Sequence, residues 1–255
     1  MGMNKRWNRL ADAFAGRGAI PPQPEYPEVS LKEMADTLAG FTEETWGGYA
    51  FSREPLEGKF TPAQKAEYTA KANACGQQWA ERMAEVYGTR SPRLLAERMG
   101  MKIEMTQRPV GGGLVLFAQF VQPDEITIFT DCIQRAAKLN EGIGCPLLQK
   151  ELLTDTLLAH ELFHGVEERY ETEIYTRTEK VELWRKPFSN RSSIACLSEI
   201  GAMAFAAQLL GLSASPYMLD VLLVYSYDKQ AALGLFQEIC RISDSINQTS
   251  RKRGY

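Results

Sequence analysis

The sequence predicts an α+β fold, mostly helical, with one small sheet of three short strands near its middle. Three observations carry this. Two S/T-x-x-E/Q boxes mark helix starts in the first half of the chain. Between residues 101 and 130 the apolar residues come in short β-branched and aromatic runs. Beyond Pro146 the helical pattern returns and persists. At 255 residues and 44% hydrophobic content the chain is one large domain or two small ones, with enough apolar surface for a real core.

Residues 18–29 carry four prolines, which predict an extended linker after a short N-terminal helix. Ser30-Leu31-Lys32-Glu33 is a capping box, so a helix should run from there to about Ala39. Residues 30–60 hold six acids against three bases, a poor balance for a DNA-binding helix-turn-helix over Ser30 to Trp46. A helical hairpin packed on the remainder is the better reading. The chain then divides into an N-terminal extension (1–60) and a main domain (61–255). Thr61-Pro62-Ala63-Gln64 is a second capping box with proline at the first helical position; the helix it opens should continue to Gly88. Ser91-Pro92 opens a short helix closed by Gly100.

Met101 to Thr106, Leu114 to Val121 and Glu125 to Thr130 read as strands of a mostly antiparallel sheet. Gly111-Gly112-Gly113 lacks the Lys-Ser/Thr ending of a phosphate loop and reads as a flexible turn. Four helices should follow. One spans about 147–167 and, after an irregular aromatic-bearing stretch, a second spans about 193–211. A third starts at Ser215-Pro216, and a fourth, capped by Asp228, runs to about Asn247.

A net charge of −3 gives no electrostatic case for nucleic acid or an anionic membrane surface. The basic end Arg251-Lys252-Arg253 reads as a solvated terminus. Five scattered cysteines without a C-x-x-C pair point to reduced thiols, hence the cytoplasm. No window approaches the ~20 apolar residues of a membrane span.

The chemistry concentrates in one place. The two histidines of the chain are four residues apart, in Ala159-His160-Glu161-Leu162-Phe163-His164. On a helix, i and i+4 share a face, so both imidazoles can reach one ion, with Glu161 placed to hold a water beside it. With no third histidine, a further protein ligand must be a carboxylate or a thiolate. The strongest candidate is Glu199, the one acid of the apolar segment from Cys196 to Leu210, where an unpaired carboxylate would be costly. Gly201, Ala202 and Ala206 would let that helix approach the histidine helix closely. Leu158, Leu162 and Val166 fall on the opposite, core-facing side of the histidine helix. Asp155, Glu167 and Glu168 read as helix-surface charges, and Cys196 as a buried structural thiol. Tyr170, Tyr175, Tyr225 and Tyr227 are the available hydroxyl donors for a developing oxyanion.

An H-E-x-x-H helix followed by a helix bearing E-x-x-A-x-x-F-A-A-x-L-L resembles the ImmA/IrrE-type metallopeptidases, compact gluzincins. Leu94-Leu95-Ala96-Glu97-Arg98-Met99-Gly100-Met101-Lys102-Ile103 and the three strands fit that layout, over roughly residues 75–212. The resemblance implies a zincin-like core, with an antiparallel sheet packed on both the H-E-x-x-H helix and the glutamate helix. It implies Zn²⁺ on His160, His164 and Glu199, with Glu161 as general base. It also implies endopeptidase action on a cytoplasmic protein, such as a helix-turn-helix repressor. Two positions depart from the family pattern. Met203 stands where an Asn or Asp usually supports the site, and Phe163 replaces the small residue before the second histidine. Loss of such support typically costs 10–100-fold in metal affinity or activity. The alternative reading is therefore a non-catalytic zinc-binding regulatory or partner-binding protein.

Overall fold

The computed structural model describes residues 25–107, 116–184 and 190–253, the side chains of 183–184 and 249–253 excepted. The predicted N-terminal helix, most of the proline linker, the Gly111–Gly113 turn and the start of the second predicted strand lie outside the described residues.

Helix α1 (Leu31–Ala39) begins where Ser30 accepts the N–H of Glu33. Helix α2 (Glu43–Phe51) is capped by Thr42, which accepts the N–H of Thr45. Gly40 to Thr42 join the two helices, whose apolar residues Met34, Leu38, Trp46, Tyr49 and Phe51 are buried in the same continuous core as the rest of the chain. Helix α3 (Pro62–Tyr87) has a complete capping box, Thr61 with Gln64, and ends at Gly88 in the left-handed conformation at φ +63°. Helix α4 (Pro92–Arg98) follows, capped by Ser91.

Three strands form one sheet: β1 (Lys102–Thr106), β2 (Ala118–Val121) and β3 (Glu125–Phe129). The spatial order is β1-β3-β2. β2 and β3 pair antiparallel, as expected, but β1 pairs with β3 in parallel, from Lys102 opposite Glu125 to Thr106 opposite Phe129. The antiparallel expectation is thus corrected to a mixed sheet. The reason lies in burial. β3 is buried along Ile126 to Phe129, whereas β1 is mostly exposed. The strand with apolar groups on both faces takes the centre.

Helix α5 (Thr130–Asn140) follows β3 directly. The sequence offered no start signal for it: its N-cap, Phe129, makes no side-chain hydrogen bond. Its buried face is Cys132, Ile133 and Ala136. Then come the histidine helix α6 (Lys150–Arg169), the short α7 (Tyr175–Thr178) and a hairpin of β4 (Lys180–Trp184) and β5 (Asn190–Ser193). The glutamate helix α8 (Ala195–Leu210) ends at Gly211 at φ +64°. Helices α9 (Met218–Tyr225) and α10 (Lys229–Arg253) close the chain, with Asp228 accepting the N–H of Ala231.

Two close approaches set the position of α6. Its Gly165 lies under the sheet, where a Cβ would stand 2.1 Å from Met101 Cε. On its other side it meets α8, where Gly201 leaves the space that the Phe163 ring fills. Phe163 is fully buried and rests on Phe205, 5.4 Å between ring centroids. The bulky residue at 163 is therefore matched by an absent side chain at 201. The sheet packs on α6; α8 packs instead between α6 and α3, not on the sheet as expected. Gly76 of α3 has no room for a side chain, because a Cβ would stand 2.2 Å from the carbonyl oxygen of Gly201.

That contact is backbone against backbone, so it cannot relax by a rotamer change. Gly76→Ala should destabilise the fold by about 1–3 kcal/mol in urea denaturation, the usual cost of overpacking. Gly58→Ala, where a Cβ meets nothing within 4 Å, should stay within about 0.5 kcal/mol of the parent.

Candidate metal centre

The i, i+4 spacing on α6 brings the two imidazoles together, with their Nε2 atoms 3.3 Å apart. Glu199, just past the first turn of α8, meets them from the facing helix. Its Oε2 is 3.5 Å from His160 Nε2 and its Oε1 is 4.0 Å from His164 Nε2. All three residues are buried, and their ligand atoms lie within 4.8 Å of one another. Two nitrogens each ~2.1 Å from one tetrahedral ion are ~3.4 Å apart, so the imidazole pair is spaced as a shared ion would require. His160, His164 and Glu199 can hold a metal ion, and the sequence named all three.

Glu161, between the histidines, is 3% exposed. Burial pushes its carboxyl up to about 7; the charge of His164 and the N–H of Phe120 on β2 pull the other way. A carboxyl in this range is suited to take and return a proton near neutrality.

Glu167 is not the surface charge that its place after the motif suggested. It is fully buried. Its Oε2 lies 3.1 Å from His164 Nδ1 and accepts the Ser198 hydroxyl at 2.6 Å. Its Oε1 accepts the Thr176 hydroxyl at 2.5 Å. Arg177 Nε stands 3.6 Å from Oε2. Burial acts to raise its carboxyl, but His164, Arg177 and Ser198 together outweigh it and hold the group below the usual range. An ionised Glu167 accepts Nδ1–H and so presents Nε2 as the ligand atom of His164, the arrangement that fixes the tautomer of a metal-binding imidazole. The signal was in the spacing: Glu167 is three residues past His164, on the same helix face. Ser198, adjacent to Glu199, was missed as well.

The other flanking acids behave as expected. Asp155 is half-buried, and Glu168 pairs with Gln122 and Arg177 at the surface. Met203 lines a cleft of about 450 Å³ with Phe41, Trp46, Asn73 and Tyr217. Cys196 is buried, as anticipated. Of the four candidate tyrosines, Tyr170 packs on Trp79, Tyr225 lies against Lys229 and Tyr227 donates to Asp131, while the buried hydroxyl of Tyr175 has no hydrogen-bond partner among the described residues.

No family model matches the chain, nor does any curated protein or any solved structure. Among the described residues no helix is long and apolar enough to cross a membrane.

Two measurements follow. Glu167→Ala should weaken metal binding about 10–100-fold in a competition titration against a chromophoric chelator; parental affinity would reduce Glu167 to a packing role. The second concerns pH in the metal-stripped protein. A carboxyl whose folded pKa exceeds its unfolded value favours the fold less as pH rises from the ordinary carboxylate range to about 7, and is constant above. Glu161→Gln, which cannot ionise, should therefore be more stable than the parent above pH 7. The margin is about 3 kcal/mol at ~1.4 kcal/mol per pH unit, and it should vanish near pH 4.

Proposed function

We propose that the chain is a zinc-dependent metalloendopeptidase of the ImmA/IrrE-like kind, acting on a protein substrate in the cytoplasm. The observation that carries this is the convergence of His160, His164 and Glu199 beside the buried Glu161. Two imidazoles and one carboxylate leave a fourth tetrahedral position open, which is how catalytic zinc sites differ from closed structural ones. When bound, zinc lowers the pKa of water towards ~7 and polarises a carbonyl.

The remaining work falls to the chain. Glu161 takes the proton of the attacking water and returns it to the departing amine nitrogen. Its burial keeps that carboxylate weakly hydrated and basic, and a cation at the two histidines would keep it ionised at neutral pH. Glu167 with Ser198 keeps His164 in one tautomer and orientation. The alternative of a non-catalytic zinc protein drew its force from Met203. The support expected at that position is supplied to His164 by Glu167, which favours the enzymatic reading. Five free cysteines suit a reducing compartment. For the substrate, the family resemblance points to a helix-turn-helix repressor.

The test is proteolysis by purified protein, with and without chelator, beside Glu161→Gln. Chelation should abolish cleavage, and the variant should lose about 10²–10⁴-fold, the usual contribution of a positioned general base. Equal cleavage by all three preparations sinks the proposal.

A further inference from the structure

We propose that Glu54, in the segment before Pro62, is a positioning residue for the metal centre and acts through the first turn of α8. The carboxylate lies 142 residues from the helix it serves. Its Oε2 accepts the N–H of Cys196 at 2.9 Å, and its Oε1 accepts the N–H of Leu56 at 3.1 Å. The second bond folds the side chain back on its own turn and fixes where the first one points.

Helix α8 needs this. The first four N–H groups of a helix have no partner within it. The residue at its N-cap is Ile194, whose side chain accepts nothing. Cys196 is the second residue of the helix and is buried, so water does not serve its N–H. A carboxylate there also meets the positive end of the helix dipole. Glu54 is itself 5% exposed, and a buried charge is tolerated only where donors receive it.

The turn so capped carries Ser198 and leads directly into Glu199, the two groups that α8 gives to the site. Ser198 donates to Glu167, and Glu199 approaches His160 and His164. The close contact with α3 grips α8 further along, at Gly201 to Phe205. The first turn lies before that contact, and Glu54 caps its end. A slip there changes the distance from Glu199 to the histidines directly. The N-terminal extension is thereby part of the metal centre's framework. The inference rests on metal binding by His160, His164 and Glu199, and not on peptidase activity.

The test uses the full chain, zinc affinity by chelator competition, and the visible spectrum of the Co²⁺-loaded protein. Glu54→Ala should weaken zinc binding about 10–100-fold, as loss of outer support does, and should shift the Co²⁺ bands. Glu54→Gln keeps a carbonyl oxygen for the Cys196 N–H and should restore affinity to within about threefold of the parent. Asp228→Ala removes the cap of α10 far from the site; it should lower Tm with affinity and spectrum unchanged. Parental affinity and spectrum in Glu54→Ala, whatever its Tm, would overturn the proposal. Should that variant not fold, Glu54→Asp, too short to reach both donors, carries the same expectation and the same refutation. A parent that binds no zinc overturns the site and this inference together. A parent that binds zinc but cleaves nothing removes only the peptidase reading.

Discussion

Burying a carboxylate is costly unless donors or a cation receive it, and this chain buries four around one helix pair. Glu54, Glu161, Glu167 and Glu199 are the buried acids among the described residues. Each is received differently: by two backbone N–H groups, by a strand N–H, by two hydroxyls with a histidine and an arginine, and by a pair of imidazoles. The rest of the architecture serves that arrangement. The sheet covers one side of α6, α8 covers another, and α3 holds α8 in place. Without this tight enclosure the same acids would be solvated, and the site would lose its organised field.

Much of this was legible before any coordinates. The histidine spacing, the lone acid of an apolar helix and the two capping boxes are local signals whose physics acts within one or two turns. The ligand triad and two helix starts followed from them. What escaped was non-local. Nothing in Lys102–Thr106 says that it pairs in parallel with a strand beyond its neighbour, because partner choice depends on which strand needs both faces covered. Glu54 carries no local mark at all, since its partner is 142 residues away.

Glu167 is a different kind of miss. Its spacing from His164 was available, but two consecutive acids at a helix end look like solvated charge. What separates Glu167 from Glu168 is the 100° turn between them: one enters the core beneath α7, the other meets solvent. Phe163 shows the reverse. In the sequence it is a departure from the family pattern; beside Gly201 it is an exchange of volume between two helices.

The contact between Gly76 and Gly201 has a consequence for which ions the protein can accept. With backbone already touching backbone, α8 cannot move towards α3 to make room around the histidines. A cation that needs bonds of ~2.3–2.6 Å and six or more oxygen ligands, as calcium does, would demand that retreat. Small ions content with four ligands ask for none. Any discrimination by size at this site would thus rest on a helix outside the ligand set, through the absence of a methyl group at Gly76.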